Sequence, residues 1–178
     1  MTTADEIWRA VAHASFAVLG HTTAAGAPRT SGVVYQTVGG HLYVAVAPDG
    51  WKARQIGTGD EVSVTVPVRR GGILALLFPI PPATISFSGR VTVHAAGAPE
   101  IAGLLDTLRR LLPPARRGSA CVLDIVPEGH FLTYGIGVGL LAMRDPAAAR
   151  ARVPVGAQHV TAPERPTAEP PLHTGLHR

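Results

Sequence analysis

Between residues 15 and 67 three apolar runs alternate with tight, glycine-rich turns, and a fourth run follows a short helical patch. That alternation restricts the chain to folds built on short antiparallel strands. Phe16, Val18 and Leu19 mark a first strand over 15–23, and Ala24-Ala-Gly-Ala-Pro28 turns the chain. A second strand over 29–38 carries Val33, Val34 and Tyr35. Gly39 and Gly40 then stand where a two-residue hairpin needs positive φ. A third strand over 42–47 ends at Pro48-Asp-Gly50. Residues 51–58 suit a short helix closed by Gly57 and Gly59, and Val62, Val64 and Val66 alternate along a half-buried fourth strand over 61–67.

The flanks extend this pattern. Thr3 and Glu6 have capping-box spacing, and Ile7, Trp8, Val11 and Ala12 follow at helical intervals, which predicts a helix to about His13. Ile85, Phe87, Val91 and Val93 mark a long strand over 83–95, in which Gly89 reads as a bulge or sharp bend. Pro99 opens a helix over 98–112 whose Ile101, Leu104, Leu105, Leu108, Leu111 and Leu112 lie on one face, as core packing requires. A strand over 118–126, a turn at Pro127-Glu-Gly129 and a last strand over 130–134 complete the pattern. The order of elements is that of a mainly β barrel with interspersed α-helices. From Arg144 onward Ala, Arg and Pro dominate and no period is visible. This divides the chain into a barrel domain over 1–143 and a largely disordered tail over 144–178, with a helical turn over 147–152 the one element the pattern allows.

At 178 residues the chain is long enough for one domain with its own core. The net charge is +4 and the basic residues are scattered, with pairs only at Arg69-Arg70, Arg109-Arg110 and Arg116-Arg117. No basic stripe interleaved with aromatics is present, which argues against a nucleic-acid partner. Cys121 is the sole cysteine, so no internal disulfide can form; it reads as a buried strand thiol in a reducing compartment. Asp5 and Glu6 precede any apolar run, unlike a signal peptide, so a cytoplasmic location is expected. No apolar stretch reaches the roughly 18–20 residues that span a bilayer. The apolar, proline-broken segment over 69–82 reads as a loop that packs on a neighbouring subunit or covers a pocket; contact with a membrane surface is the weaker reading.

Gly-x-Ser-x-Gly, the phosphate-binding Gly-x-x-x-x-Gly-Lys loop, His-Glu-x-x-His and Cys-x-x-Cys are all absent, and the eight histidines form no close ligand pair. No catalytic side chain is therefore assigned. The chemistry must come from a cofactor, or the protein only binds. Lys52 stands out as the only lysine, every other basic side chain among the sixteen Lys and Arg being arginine. A compact ammonium is a competent phosphate contact. Arg54 is either a second such contact or an exposed helix residue.

Arg29-Thr-Ser-Gly-Val-Val-Tyr35, Gly40-His-Leu-Tyr-Val-Ala-Val46, Trp51-Lys-Ala-Arg-Gln-Ile56 and Glu61-Val-Ser-Val-Thr-Val66 together resemble the pyridoxamine 5′-phosphate oxidase-like, flavin-binding split-barrel superfamily. Ile85-Ser-Phe-Ser-Gly-Arg-Val-Thr-Val93 and the helix after it extend the resemblance to about residue 134. It implies a Greek-key split β-barrel that forms a homodimer, with a flavin in a groove at the dimer interface. Thr30, Ser31 and Gly32 fall on the strand that lines the flavin ring. Val46, Ala47, Trp51 and Lys52 fall on the segment that holds the phosphate, Lys52 on its lysine. The chain departs from the pattern at Trp51, where an arginine is usual, and at Val46 and Ala47, where polar residues are common. Trp51 either stacks on a ring or plugs the core. The implied cofactor is FMN. A deazaflavin, served by Arg29, Arg54, Arg69 and Arg70, and haem, ligated by His21, His94 or His130, are the alternatives. The implied activity is that of an oxidoreductase acting on a small organic substrate, the alternative being a non-catalytic cofactor- or haem-binding protein.

Overall fold

A computed structural model describes residues 2–69, 82–101, 103–104, 120–139 and 142–156. The chain opens with α1 (Ala4–His13), whose start is fixed by a reciprocal cap. The Thr3 hydroxyl accepts the Glu6 N–H, and the Glu6 carboxylate accepts the Thr3 N–H. Four strands follow, β1 (Phe16–Thr22), β2 (Pro28–Val34), β3 (Gln36–Val38) and β4 (His41–Val46), then the short helix α2 (Trp51–Gln55). Beyond it lie β5 (Glu61–Val68), β6 (Ala83–His94), β7 (Cys121–Tyr134), α3 (Pro146–Ala149) and β8 (Arg150–Pro154).

All pairings are antiparallel, in the order β2-β1-β5-β6-β7-β4-β3, with β8 added to β7. The sheet curls until β2 comes near β4, and α1 lies against β3 and β5. Ile7 and Val11 of α1 thus join Leu19, Leu42, Val44, Val64, Ile85, Leu123, Ile125 and Phe131 in one core. Three rings link α1 to the sheet. Phe131 stands edge-on to Trp8 at 5.5 Å and to Phe87 at 5.4 Å. The expected mainly β, half-closed barrel is the fold observed.

Several boundaries differ from expectation, each for a long-range reason. The second expected strand breaks at Tyr35, which turns inward so that its hydroxyl donates to the Val11 carbonyl at 2.7 Å. The two strands expected over 118–134 are one continuous β7. A partner as long as β6 holds both halves, and the surplus is absorbed where Ser86–Ser88 faces Glu128–Leu132. Gly129 supplies the positive φ of 71° at that bulge. Gly89 carries no bulge: a Cβ there would sit 2.7 Å from Ile125 Cγ2 and 3.0 Å from the Val126 carbonyl oxygen, so its role is close approach. Cys121 is only partly buried.

The tail expected from residue 144 is ordered in its first part. Asp145 caps α3 by accepting the Ala147 N–H, and β8 pairs with β7 from His130↔Pro154 to Tyr134↔Arg150. A sequence poor in large apolar residues is recruited here by an open strand edge and by burial of Ala149 and Val155. In the expected helix over 98–112, Pro99–Ile101 forms a 3₁₀ turn and residues 103–104 are helical. Its remainder, the apolar loop and the end of the tail lie outside the described residues.

The sheet presents two chemically different faces. The inner one is the core. The outer one carries Phe16, Val18 and Val34 on β1 and β2, hydroxyls from Ser63, Thr65, Ser86 and Ser88 on β5 and β6, and Leu132 on β7. Phe16 is 46% and Leu132 54% exposed.

Candidate functional site

The site grows from the end of β4. Pro48-Asp-Gly50 reverses the chain, the Gly50 N–H donating to the Ala47 carbonyl at 3.0 Å, and α2 starts immediately. This helix buries no residue and has no side-chain cap at its start. It carries Trp51 to the last turns of β1, where the indole stacks on His21 with centroids 5.3 Å apart and planes 25° apart. The Lys52 ammonium stands over the same indole, 5.4 Å from its centroid. His21, Trp51 and Lys52 form one continuous stack at one end of the barrel.

His21 is 7% exposed, and neither ring nitrogen has a hydrogen-bond partner among the described residues. The same is true of the buried Ser31 hydroxyl, whose residue pairs with Leu19 on the neighbouring strand. Directly opposite His21 across the hairpin is Arg29, so its exposed side chain springs from the same face. The region therefore combines positive charge from Lys52, Arg29 and the exposed Arg54 with buried polar atoms that no described residue matches. Asp49 is the neighbouring carboxylate, in the turn before α2.

The residues expected to bind a cofactor are divided by the fold. Trp51, Lys52 and Arg54 lie together on α2, and Ser31 faces inward on β2. Thr30 and Gly32 face the other way, onto the outer sheet surface, opposite Gly20 and Val18. A Cβ at Gly32 would lie 2.8 Å from the exposed Phe16 ring, so a larger residue there would push that ring aside. The Val46 side chain is core, leaving only its backbone for a ligand, and Ala47 is half-buried. Trp51 is 37% exposed and lies on the His21 ring, so it is not the core plug that was one of its two expected roles. Of the three histidines considered as haem ligands, His21 alone joins this cluster.

His94 lies elsewhere, its Nε2 3.7 Å from an Asp124 oxygen whose partner oxygen is 2.9 Å from His41 Nδ1. Burial, and then the Asp124 charge, push the neighbouring Tyr43 phenol above its ordinary range. His130 is exposed and accepts from Arg152 at 3.4 Å. Among the described residues no group of three or more His, Cys, Asp or Glu is arranged to hold a metal, and no helix is long and apolar enough to cross a membrane.

Two features were missed by sequence reasoning. One is the isolation of the His21 imidazole, which depends on α2 folding back over it. The other is a groove of about 590 Å³ on the outer face, with Ser63, Thr65, Ser86, Ser88, Leu132 and Arg152 in its lining. Its signal was present in Val62-Ser-Val-Thr-Val66 and Ile85-Ser-Phe-Ser88, where hydroxyls occupy the positions between core residues.

No family model matches the sequence, and no curated protein matches it. Solved structures do match the fold. A heme binding protein from Mycobacterium smegmatis aligns with a TM-score of 0.60 at 14% identity, over 87% of this chain and 59% of that one. The chain thus spans well under two thirds of that protein's length. HutZ, the heme storage protein from Vibrio cholerae, aligns with a TM-score of 0.59 at 14% identity, over 77% of this chain and 98% of that one. A pyridoxamine 5′-phosphate oxidase-related, FMN binding protein from Nostoc punctiforme aligns with a TM-score of 0.52 at 12% identity, over 84% and 85% of the two chains. With its curled antiparallel sheet and α1 packed against β3 and β5, this chain has the split-barrel fold that these solved structures share.

Proposed function

We propose that this chain binds FMN at the His21–Trp51–Lys52 end of the barrel and acts as a flavin-dependent oxidoreductase on a small organic substrate. The observation that carries this reading is the stack itself: the only lysine of the chain stands over an exposed indole, beside buried polar atoms that have no partner among the described residues. FMN matches that set. Its phosphate suits Lys52 with Arg29 or Arg54, and its planar ring suits an aromatic face and donors such as the Ser31 hydroxyl. Bound flavin supplies hydride and electron transfer, while the chain binds and orients it. A deazaflavin would draw further on Arg69 at the end of β5, and a competition titration separates the two.

The active form is a homodimer. Its support is the row of exposed apolar side chains, Phe16, Val18, Val34 and Leu132, on one sheet face. The lone cysteine fits a cytoplasmic setting.

Titration of the purified protein with FMN, read by flavin fluorescence, tests the proposal. Lys52→Met is expected to weaken binding at least about tenfold, because a hydrogen bond to a charged group contributes about 1.5–3 kcal/mol. Absence of flavin absorption together with unchanged fluorescence on adding FMN sinks the reading. Haem is a second reading, favoured by the unpartnered nitrogens of His21. It requires a Soret band with hemin that His21→Ala abolishes.

A further inference from the structure

A buried imidazole with two unmatched nitrogens is costly to maintain, because each was hydrogen-bonded to water in the unfolded chain. His21 is in that state at 7% exposure. A neutral imidazole offers one donor and one acceptor, so a partner of mixed character would satisfy it fully. Both nitrogens are sealed from solvent, so such a partner gets in only if a neighbouring group moves. Trp51 is stacked on the ring. It belongs to a five-residue helix with no buried residue and no side-chain cap, so few contacts resist its displacement. Its indole is 37% exposed already.

We infer that His21 is the positioning residue of the ligand site, hydrogen-bonding the bound ring through its imidazole, and that Trp51 is the movable cover that gives way to admit it. The inference rests on the flavin reading for the identity of the ligand. A flavin ring edge carries carbonyl acceptors and an N–H donor, which is the mixed character His21 lacks. Lys52 sits on the cover itself, so an anionic group attracted by its ammonium arrives where the indole must move. The two roles are coupled: phosphate binding at Lys52 and ring binding at His21 act on the same side chain.

Two measurements test this on the full-length protein. The first needs no ligand. Diethyl pyrocarbonate labelling of His21, followed by peptide mass spectrometry, compares wild type with Trp51→Ala, both checked for an unchanged melting temperature. Labelling is expected to rise at least tenfold in the variant; equal labelling overturns the cover. The second is FMN affinity in His21→Phe, which keeps an aromatic ring under Trp51 but removes both nitrogens, and in His21→Gln, which restores one donor and one acceptor. Affinity is expected to fall about tenfold in His21→Phe, with partial recovery in His21→Gln. Thermal stability should not follow that order, since the nitrogens have no partner among the described residues. Wild-type affinity in His21→Phe overturns the positioning role while leaving the flavin reading intact. Absence of FMN binding in wild type overturns the flavin reading and the ligand half of this inference, and leaves the labelling result to decide the cover.

Discussion

Single residues in this chain act through distances that local sequence does not contain. Gly89 is the clearest case. Its neighbour Ile125 is far along the chain, and an added Cβ would come within 2.7 Å of it only because β6 and β7 lie side by side there. Gly89→Ala is expected to lower stability by about 1–3 kcal/mol, measured by denaturant unfolding, since neither Ile125 nor the backbone of Val126 can yield freely. Tyr35 is a second case. Burial raises its pKa above the ordinary phenol value of about 10. A raised pKa means the folded state favours the neutral phenol. Its contribution is complete below pH about 10 and is lost as pH rises through the folded pKa. Unfolding free energy should therefore fall with pH above about 10, and the fall should be shallower in Tyr35→Phe. That variant should also start about 1 kcal/mol lower, for want of the hydrogen bond to Val11. By contrast, the Thr3–Glu6 cap and the Gly39-Gly40 turn were fully legible, because all the atoms involved lie within four residues.

Elements were legible where their pattern was self-sufficient and misread where a partner strand decided the outcome. The alternation in β5 and the apolar runs of β1, β4 and β6 placed those strands within a residue or two. Pro127-Glu-Gly129 looked like a turn because proline and glycine usually interrupt pairing, yet β6 carries the ladder past them with a bulge. The β8 strand was invisible for the opposite reason. Arg150-Ala-Arg-Val-Pro154 has weak strand character, and its order comes from the free edge of β7 and from Val155 packing into the core. Ending the chain after Ala149 should therefore cost about 2 kcal/mol or more, the contribution of burying one valine side chain, and this would appear as a lower midpoint in urea. Of the candidate site, Trp51, Lys52 and Ser31 end near or on the inner side of the barrel, whereas Thr30 and Gly32 of the same strand as Ser31 point to the outer surface. One strand cannot reveal which of its two faces the sheet will curl around.

For the whole molecule, the apolar, hydroxyl-lined outer face is the surface on which the proposed dimer is tested. Leu132→Asp, at a 54% exposed position, should leave monomer stability within about 0.5 kcal/mol while converting a dimer to a monomer in light scattering. A monomeric wild type would remove the dimer from the proposed function without touching the Lys52 site. The course of β7 has a consequence for biosynthesis. One edge of this late strand is shared by β4, from the first third of the chain, and β8, from its end. Until residue 125 has left the ribosome, the β3–β4 hairpin has no strand on its open edge. The nascent chain must therefore extend through β7 before its barrel can close, and it depends during that interval on whatever shields exposed strand edges in the cell.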